Sequence, residues 1–181
     1  MNASAKSQAS GFSLIELMIG LVIMGIILAA AAPNMHKWIL NSQIRNAAES
    51  IQNGMQQARA QAIARNTNVE FVLSAVAVND QTSWVIEEVG GTPFDRRLSS
   101  EGSQSVKRTI LPAGTTTITF DNTGRPLAVN PTGATPRITS ITLDSTVLGT
   151  ADSNDLSVTV DFSGSIKMCD PNASYPNPRA C

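Results

Sequence analysis

Aromatic side chains make up only 4% of this 181-residue chain and charged ones only 15%, and there are one histidine and two cysteines. Each scarcity excludes something. With so few aromatics, a globular core has to rest on Val, Ile and Leu. The formal net charge of -1 leaves no global basic field to draw in nucleic acid or an anionic membrane. The only histidine, His36, stands just past Pro33 at the edge of an apolar run. It has no evident base partner, so it reads as an interfacial residue rather than a catalytic one. There is no glycine-rich phosphate loop, no zinc-ligand spacing and no paired-carboxylate motif. No enzyme chemistry is readable, and nothing calls for a cofactor or a metal. The run Asp152-Ser153-Asn154-Asp155 carries oxygen ligands at short spacing, as calcium requires, but no bidentate Glu follows it at the proper distance. A turn before a strand is the simpler reading. Cys169 and Cys181 are too few for a zinc site. They read best as a disulfide closing a short C-terminal loop, which implies an oxidising compartment, with two unrelated free thiols as the alternative. In the chain-entropy model such a loop contributes about 3 kcal/mol.

What the chain does have is a long apolar run near its start. From Phe12 to Ala32 only Ser13 and Glu16 are polar. The run is about 21 residues, enough to cross a hydrocarbon core of roughly 30 Å as a helix. An ordinary secretory signal would be cleaved after its apolar stretch, and Ala29 to Ala32 could mimic such a site. Against that, the helical pattern continues straight past Pro33. A charge inside a membrane-length helix costs about 2.5 to 3.5 kcal/mol on insertion scales, so Glu16 calls for a use.

The segment Gly11-Phe12-Ser13-Leu14-Ile15-Glu16-Leu17 resembles the prepilin processing motif of type IV pilins and type II secretion pseudopilins. The resemblance implies a leader over residues 1–11, cleavage after Gly11 by a prepilin peptidase, and N-methylation at Phe12. It also implies that Glu16 pairs with the terminal amine of a neighbouring subunit during fibre assembly. The physics agrees: a carboxylate in hydrocarbon is tolerable once a cation pairs with it. A simple anchor with Glu16 snorkelling to the interface is the plainer alternative. Gly25 is a poor helix former and Pro33 lacks the backbone donor. In pilins of this kind the stretch between such residues melts in the filament; a mere kink in a membrane helix is the other reading, and both stay open.

Beyond Pro33 the pattern becomes one-sided. Leu40, Ile44, Ala47, Ile51, Met55, Ala58 and Ala62 recur at spacings of three or four, which predicts an amphipathic spine helix ending at Asn66-Thr67-Asn68. The whole helix from Phe12 to Arg65 would be about 80 Å long. Gly54 within it suggests close packing or simple tolerance. Strands are predicted at Val69 to Val78, Trp84 to Val89, Ser105 to Leu111, Thr115 to Phe120, Arg137 to Leu143 and Leu156 to Phe162, with a hairpin through Ser163-Gly164 into Ser165 to Met168. The fold class is α+β: a long N-terminal α-helix packed on antiparallel sheets. Residues 12–33 form its membrane or filament-core half, 34–66 its spine, and 67–181 a β-rich periplasmic head.

The order of these features resembles the GspH/FimT family of minor subunits. The tail from Cys169 to Cys181 resembles the FimT/FimU minor pilins more than the secretion pseudopilins. Type IV pilin-like identity implies a bacterial inner-membrane, single-pass protein with a periplasmic head. Its implied partners are other minor pilins or pseudopilins, the major pilin and the prepilin peptidase. The first functional reading is therefore a minor pilin that takes part in pilus assembly at or near the tip. The second is an H-type minor pseudopilin of a type II secretion system. A third, of another class, is a DNA receptor, because some members of the family bind DNA through basic residues near the C-terminus. Here that role would fall to Lys167 and Arg179, with clustered cations neutralising phosphates. Arg96-Arg97 and Lys107-Arg108 offer further local charge, and solvated faces and strand-end charges are the plainer reading. Gly124-Arg125-Pro126-Leu127 lacks the second arginine of those members' pattern. Removing residues 1–11 takes away Lys6 and no acid, leaving 12 basic against 14 acidic residues, or -2.

Overall fold

A computed structural model describes residues 12–73 and 81–181. Gly11 of the processing motif and the far half of the expected Val69 to Val78 strand lie outside the described residues. The chain divides into two compact units, Met1–His36 and Lys37–Cys181.

One helix, α1 (Leu14–Arg65), contributes to both units. Its start is set by Ser13, whose Oγ accepts the Glu16 backbone N–H at 3.2 Å. Ser-x-x-Glu is half of a capping box, and the acid in the first turn also suits the positive end of the helix. Its end is a Schellman cap: Thr67 N–H donates to Ala62 O and Asn66 N–H to Ile63 O, with Asn66 at φ 53°. In the first unit every described side chain from Phe12 to Ala32 is exposed, and this is the one described helix long and apolar enough to cross a membrane.

In the second unit every member of the predicted stripe is buried: Leu40, Ile44, Ala47, Ile51, Met55, Ala58 and Ala62. These residues form the floor of a core completed by two four-stranded antiparallel sheets. The first sheet has the order β3-β2-β1-β5, made of β1 (Val69–Leu73), β2 (Trp84–Glu88), β3 (Pro93–Arg97) and β5 (Thr117–Phe120). It sends Phe71, Ile86 and Ile118, which lie opposite one another across three strands, into the core. The second has the order β4-β6-β7-β8, made of β4 (Val106–Leu111), β6 (Ser140–Ser145), β7 (Leu156–Val160) and β8 (Ile166–Cys169). It contributes Ile141, Leu143, Val158 and Val160 to the same core. Aliphatic residues dominate, as the shortage of aromatics requires. Gly54 lies where the helix meets the first sheet: a Cβ there would come within 2.8 Å of Phe71 Cε2 and 3.0 Å of the Trp84 ring. Close packing, not tolerance, accounts for it.

Three features depart from the sequence reading. β3 is not among the strands predicted from the sequence, and Pro93 with the charges of Asp95, Arg96 and Arg97 gives little strand signal. It survives as an edge strand, the one place in a sheet where proline and dense charge are compatible with pairing. The strand expected at Arg137 to Leu143 begins only at Ser140. Before it, Arg137, Ile138 and Thr139 donate in turn to Ala128 O, Thr117 O and Leu111 O, so this stretch crosses between the sheets. Finally, β7 stops at Val160, because Asp161 turns the chain and leaves Phe162 82% exposed.

Candidate functional site

At the N-terminal end, Phe12 and Ser13 precede the helix and Phe12 is 84% exposed. Glu16 is exposed on the apolar run, and among the described residues no cation pairs with it. α1 is unbroken through Gly25 and Pro33. A Cβ at Gly25 would meet nothing within 4 Å, so no contact among the described residues demands glycine there. The capping contact from Ser13 was missed at the level of sequence, although Ser-x-x-Glu was its signal.

At the other end of the sequence, Cys169 and Cys181 are joined by a disulfide, with Cα atoms 5.0 Å apart. β8 carries Cys169, and the tail folds back so that Asp170 N–H donates to Arg179 O at 2.7 Å. Within this loop Tyr175 is 94% exposed. The structure gives the two basic residues of the tail different surroundings. Lys167 is exposed on edge strand β8; the Asp161 carboxyl is lowered by the Ser163 hydroxyl and the Ser165 N–H, with the Lys167 charge adding least. Arg179 instead lines a groove of about 500 Å³ together with Trp38, Asn41 and Arg45 of α1 and Asp155 and Asp170 opposite. Trp38 is 69% exposed there.

The loop before β7 is stapled to the spine. Lys37 Nζ meets Asp152 Oδ1 at 2.8 Å, Asn41 Nδ2 donates to Asp152 O, and Asn154 N–H donates to Asn41 Oδ1. Ser153 Oγ lies 2.8 Å from Asp144 Oδ1 and 2.7 Å from Asp155 Oδ1. These oxygens therefore have protein partners, and among the described residues no group of three or more His, Cys, Asp or Glu is placed to hold a metal ion. Burial pushes the Asp144 carboxyl up, but donors from Lys107, Ser153 and the Ser145 N–H outweigh it and hold it below the usual carboxylate range.

The basic pairs singled out in the sequence do not form one patch. Arg96 and Arg97 lie on β3 of the first sheet, Lys107 and Arg108 on β4 of the second. Arg97 reaches Glu101 at 3.7 Å, Lys107 binds Asp144 at 2.8 Å, and Arg108 donates to Gln81 O. Arg125 belongs to a turn in which its N–H donates to Asp121 Oδ1.

That turn has a twin. Asp121 Oδ1 accepts from Thr123 N–H, Thr123 Oγ and Arg125 N–H; Asp161 Oδ1 accepts from Ser163 N–H, Ser163 Oγ and Ser165 N–H. The repeated Asp-x-Thr/Ser-Gly is legible in the sequence, yet its consequence is not. The two turns stack, and Arg59 of the spine donates from Nε to Gly124 O at 3.0 Å. Both glycines adopt left-handed φ, +79° and +82°. Equally unforeseen is Glu70, which is buried on β1 facing away from the helix. Its Oε1 lies 3.1 Å from Thr119 Oγ1, which also sits 3.0 Å from Asn130 Oδ1. Glu87 stands opposite Glu70 on β2; burial first, then the charge of Glu70, pushes its carboxyl up.

Comparison with known proteins agrees with this geometry. Residues 47–164 match the family model described as type II transport protein GspH, and residues 6–32 match the prokaryotic N-terminal methylation motif. No curated protein matches the chain. Two crystal structures of the type IV minor pilin FimU of Pseudomonas aeruginosa, in different crystal forms, share its fold at 14% identity. Their TM-scores are 0.50 and 0.52, covering 74% and 75% of this chain and 98% and 95% of theirs. Identity that low bears on the fold alone, which is the long helix with two antiparallel sheets described above. With well over half its length matched by the family model and the methylation motif at its start, the chain belongs to the GspH family of minor pilins and pseudopilins.

Proposed function

We propose that this protein is a minor pilin of a type IV pilus that takes part in pilus assembly at or near the tip. In this reading residues 1–11 are the leader, removed after Gly11, and the new terminus is methylated at Phe12. Residues 12–33 hold the chain in the bacterial inner membrane before it enters the fibre, 34–66 form the spine, and 67–181 form the periplasmic head. Its partners are the other minor pilins, the major pilin and the prepilin peptidase.

The observation that carries the proposal is Glu16, a carboxylate within a membrane-length apolar run that has no cation partner among the described residues. It lies four residues from Phe12, whose amine exists only after cleavage. The neighbouring subunit's amine is a chemically suitable partner, since pairing relieves the cost of a charge in hydrocarbon. Membrane cost then favours registered assembly. The weak helix between Gly25 and Pro33 would let this segment melt as subunits pack.

Glu16→Ala tests this. It removes an insertion cost of about 2.5 to 3.5 kcal/mol, so membrane insertion persists while incorporation beside partner subunits falls. Normal incorporation of the variant would refute the pairing role. The mass of the mature chain should correspond to a methylated Phe12 start. A second reading, a minor pseudopilin of a type II secretion system, is favoured by the description of the matching family model. The cysteine-bounded tail favours the pilus. Deleting the gene decides between them: loss of piliation with secretion intact supports the pilus, and the reverse supports the secretion system.

A further inference from the structure

We infer that the groove beside the beginning of the spine is a binding site for a phospholipid headgroup that carries a phosphodiester and a primary ammonium. The inference rests on reading Phe12 to Ala32 as membrane-spanning.

Composition of the groove points to a zwitterion. Two guanidinium groups, Arg45 and Arg179, face it together with two carboxylates, Asp155 and Asp170. Among the described residues Arg45 binds only Glu49, one turn along its own helix, with 69% of its side chain exposed. The guanidinium of Arg179 has no partner among the described residues. Both are therefore available to a phosphate, which guanidinium recognises through paired N–H donors. On the acidic side the two carboxylates differ. Asp155 already accepts from Ser153 Oγ and Asn172 Nδ2. Asp170 accepts the Asn172 N–H through Oδ1 and has an oxygen left over. An ammonium with three donors suits that oxygen. A purely anionic ligand would put its charge against the acids, and a neutral one would leave the arginines unused. The volume, about 500 Å³, is ample for a headgroup.

Position supplies the source of the ligand. Trp38 follows Ala32 by six residues, so chain length alone keeps it within about 21 Å of the end of the apolar run. The headgroup zone begins where the hydrocarbon ends. An exposed indole flanked by His36 and Lys37 is the residue pattern of a membrane–water interface. A soluble phosphate would satisfy the arginines but would leave Asp170 and Trp38 without a role.

The test uses the full chain in detergent, with native mass spectrometry counting retained lipid. Phosphatidylethanolamine, phosphatidylcholine, phosphatidylglycerol and diacylglycerol are offered with identical acyl chains. Phosphatidylethanolamine should be retained about tenfold better than diacylglycerol, the size expected of charge-assisted hydrogen bonds. Phosphatidylcholine, whose ammonium has no N–H, should fall between. The double variant Arg45→Gln, Arg179→Gln should bring phosphatidylethanolamine down to the diacylglycerol level. Asp170→Asn should abolish its advantage over phosphatidylcholine. Unchanged retention by the double variant, equal retention of all four lipids, or a preference for phosphatidylglycerol would each overturn the inference. Carbonate extraction of membranes separates the two readings. A chain that washes out refutes the membrane-spanning reading; a chain that stays in yet ignores headgroup chemistry refutes only the groove.

Discussion

Gly164→Ala, set beside Gly90→Ala, isolates the price of bringing two turns together. Both glycines have left-handed φ, +82° and +72°. An alanine in that region costs about 1 to 2 kcal/mol whatever surrounds it, so this term is common to both variants. Their surroundings differ completely. A Cβ at Gly90 meets nothing within 4 Å, whereas one at Gly164 would lie 2.5 Å from Gly124 O and 3.4 Å from Arg59 Nε. Ordinary C···O contacts are about 3.3 Å or more, so the Gly124 carbonyl would have to move by about 0.8 Å. That carbonyl is the acceptor of the Arg59 bond, and hydrogen bonds to charged groups contribute about 1.5 to 3 kcal/mol. Gly164→Ala should therefore cost about 2 to 3 kcal/mol more than Gly90→Ala. For a domain of this size the gap corresponds to roughly 6 to 9 °C in melting temperature. The assay is thermal unfolding of the head from Lys37 onward, followed by circular dichroism. Arg59→Met is the control: in its background the penalty of Gly164→Ala should shrink, because the bond is already gone. Equal losses for the two alanine variants would refute the stacking argument.

Acid should weaken the head in a defined window. Donors from Ser163 and Ser165 hold the Asp161 carboxyl below its ordinary range, and at Asp121 and Asp144 donors outweigh an opposing burial effect to the same end. Folded pKa values below the unfolded ones mean that this stability is present above about pH 4 and is lost as pH falls through the lowered values. Urea midpoints measured between pH 2 and 6 should therefore drop on acidification, and Asp121→Asn with Asp161→Asn should flatten the drop. Glu87 has the opposite sign, because its folded pKa is raised. Glu87→Gln should raise the midpoint at neutral pH, with the gain fading as pH falls through the raised folded value and gone below about pH 4. Reducing the Cys169–Cys181 bond, or replacing both residues by serine, should cost about 3 kcal/mol from loop closure, read as a lower urea midpoint.

Much of the candidate site was legible because its signals are local. The N-terminal methylation motif, a charge in an apolar run and a helical period each depend on neighbours a few positions apart, and Asn66 ends α1 where the sequence placed its stop. The repeated Asp, Thr or Ser, and Gly of the turns at Asp121 and Asp161 is a local signal as well, although the strand predicted through Phe162 overran the second turn. The boundaries that failed were those set by distant partners. β3 exists because β2 offers it a free edge and because Phe94 lies under the Arg65 guanidinium, 4.1 Å from ring centroid to Cζ. Nothing in Pro-Phe-Asp-Arg-Arg announces either fact.

By itself the amino-acid sequence determined the membrane-length run with its single carboxylate, the N-terminal methylation motif, the buried stripe of the spine and the α+β class. These follow from composition and period, which act along the chain. Only the tertiary structure decided that Arg59 binds one of two stacked turns, that Gly54 admits the Phe71 and Trp84 rings, and that Glu70 is buried beside Thr119. It also separated Lys167 from Arg179 and gathered Arg179 with Arg45 and Trp38 around one groove. Those contacts join residues tens to more than a hundred positions apart. Their geometry comes from how the sheets stack on the helix, and that packing is a property of the whole core rather than of any segment.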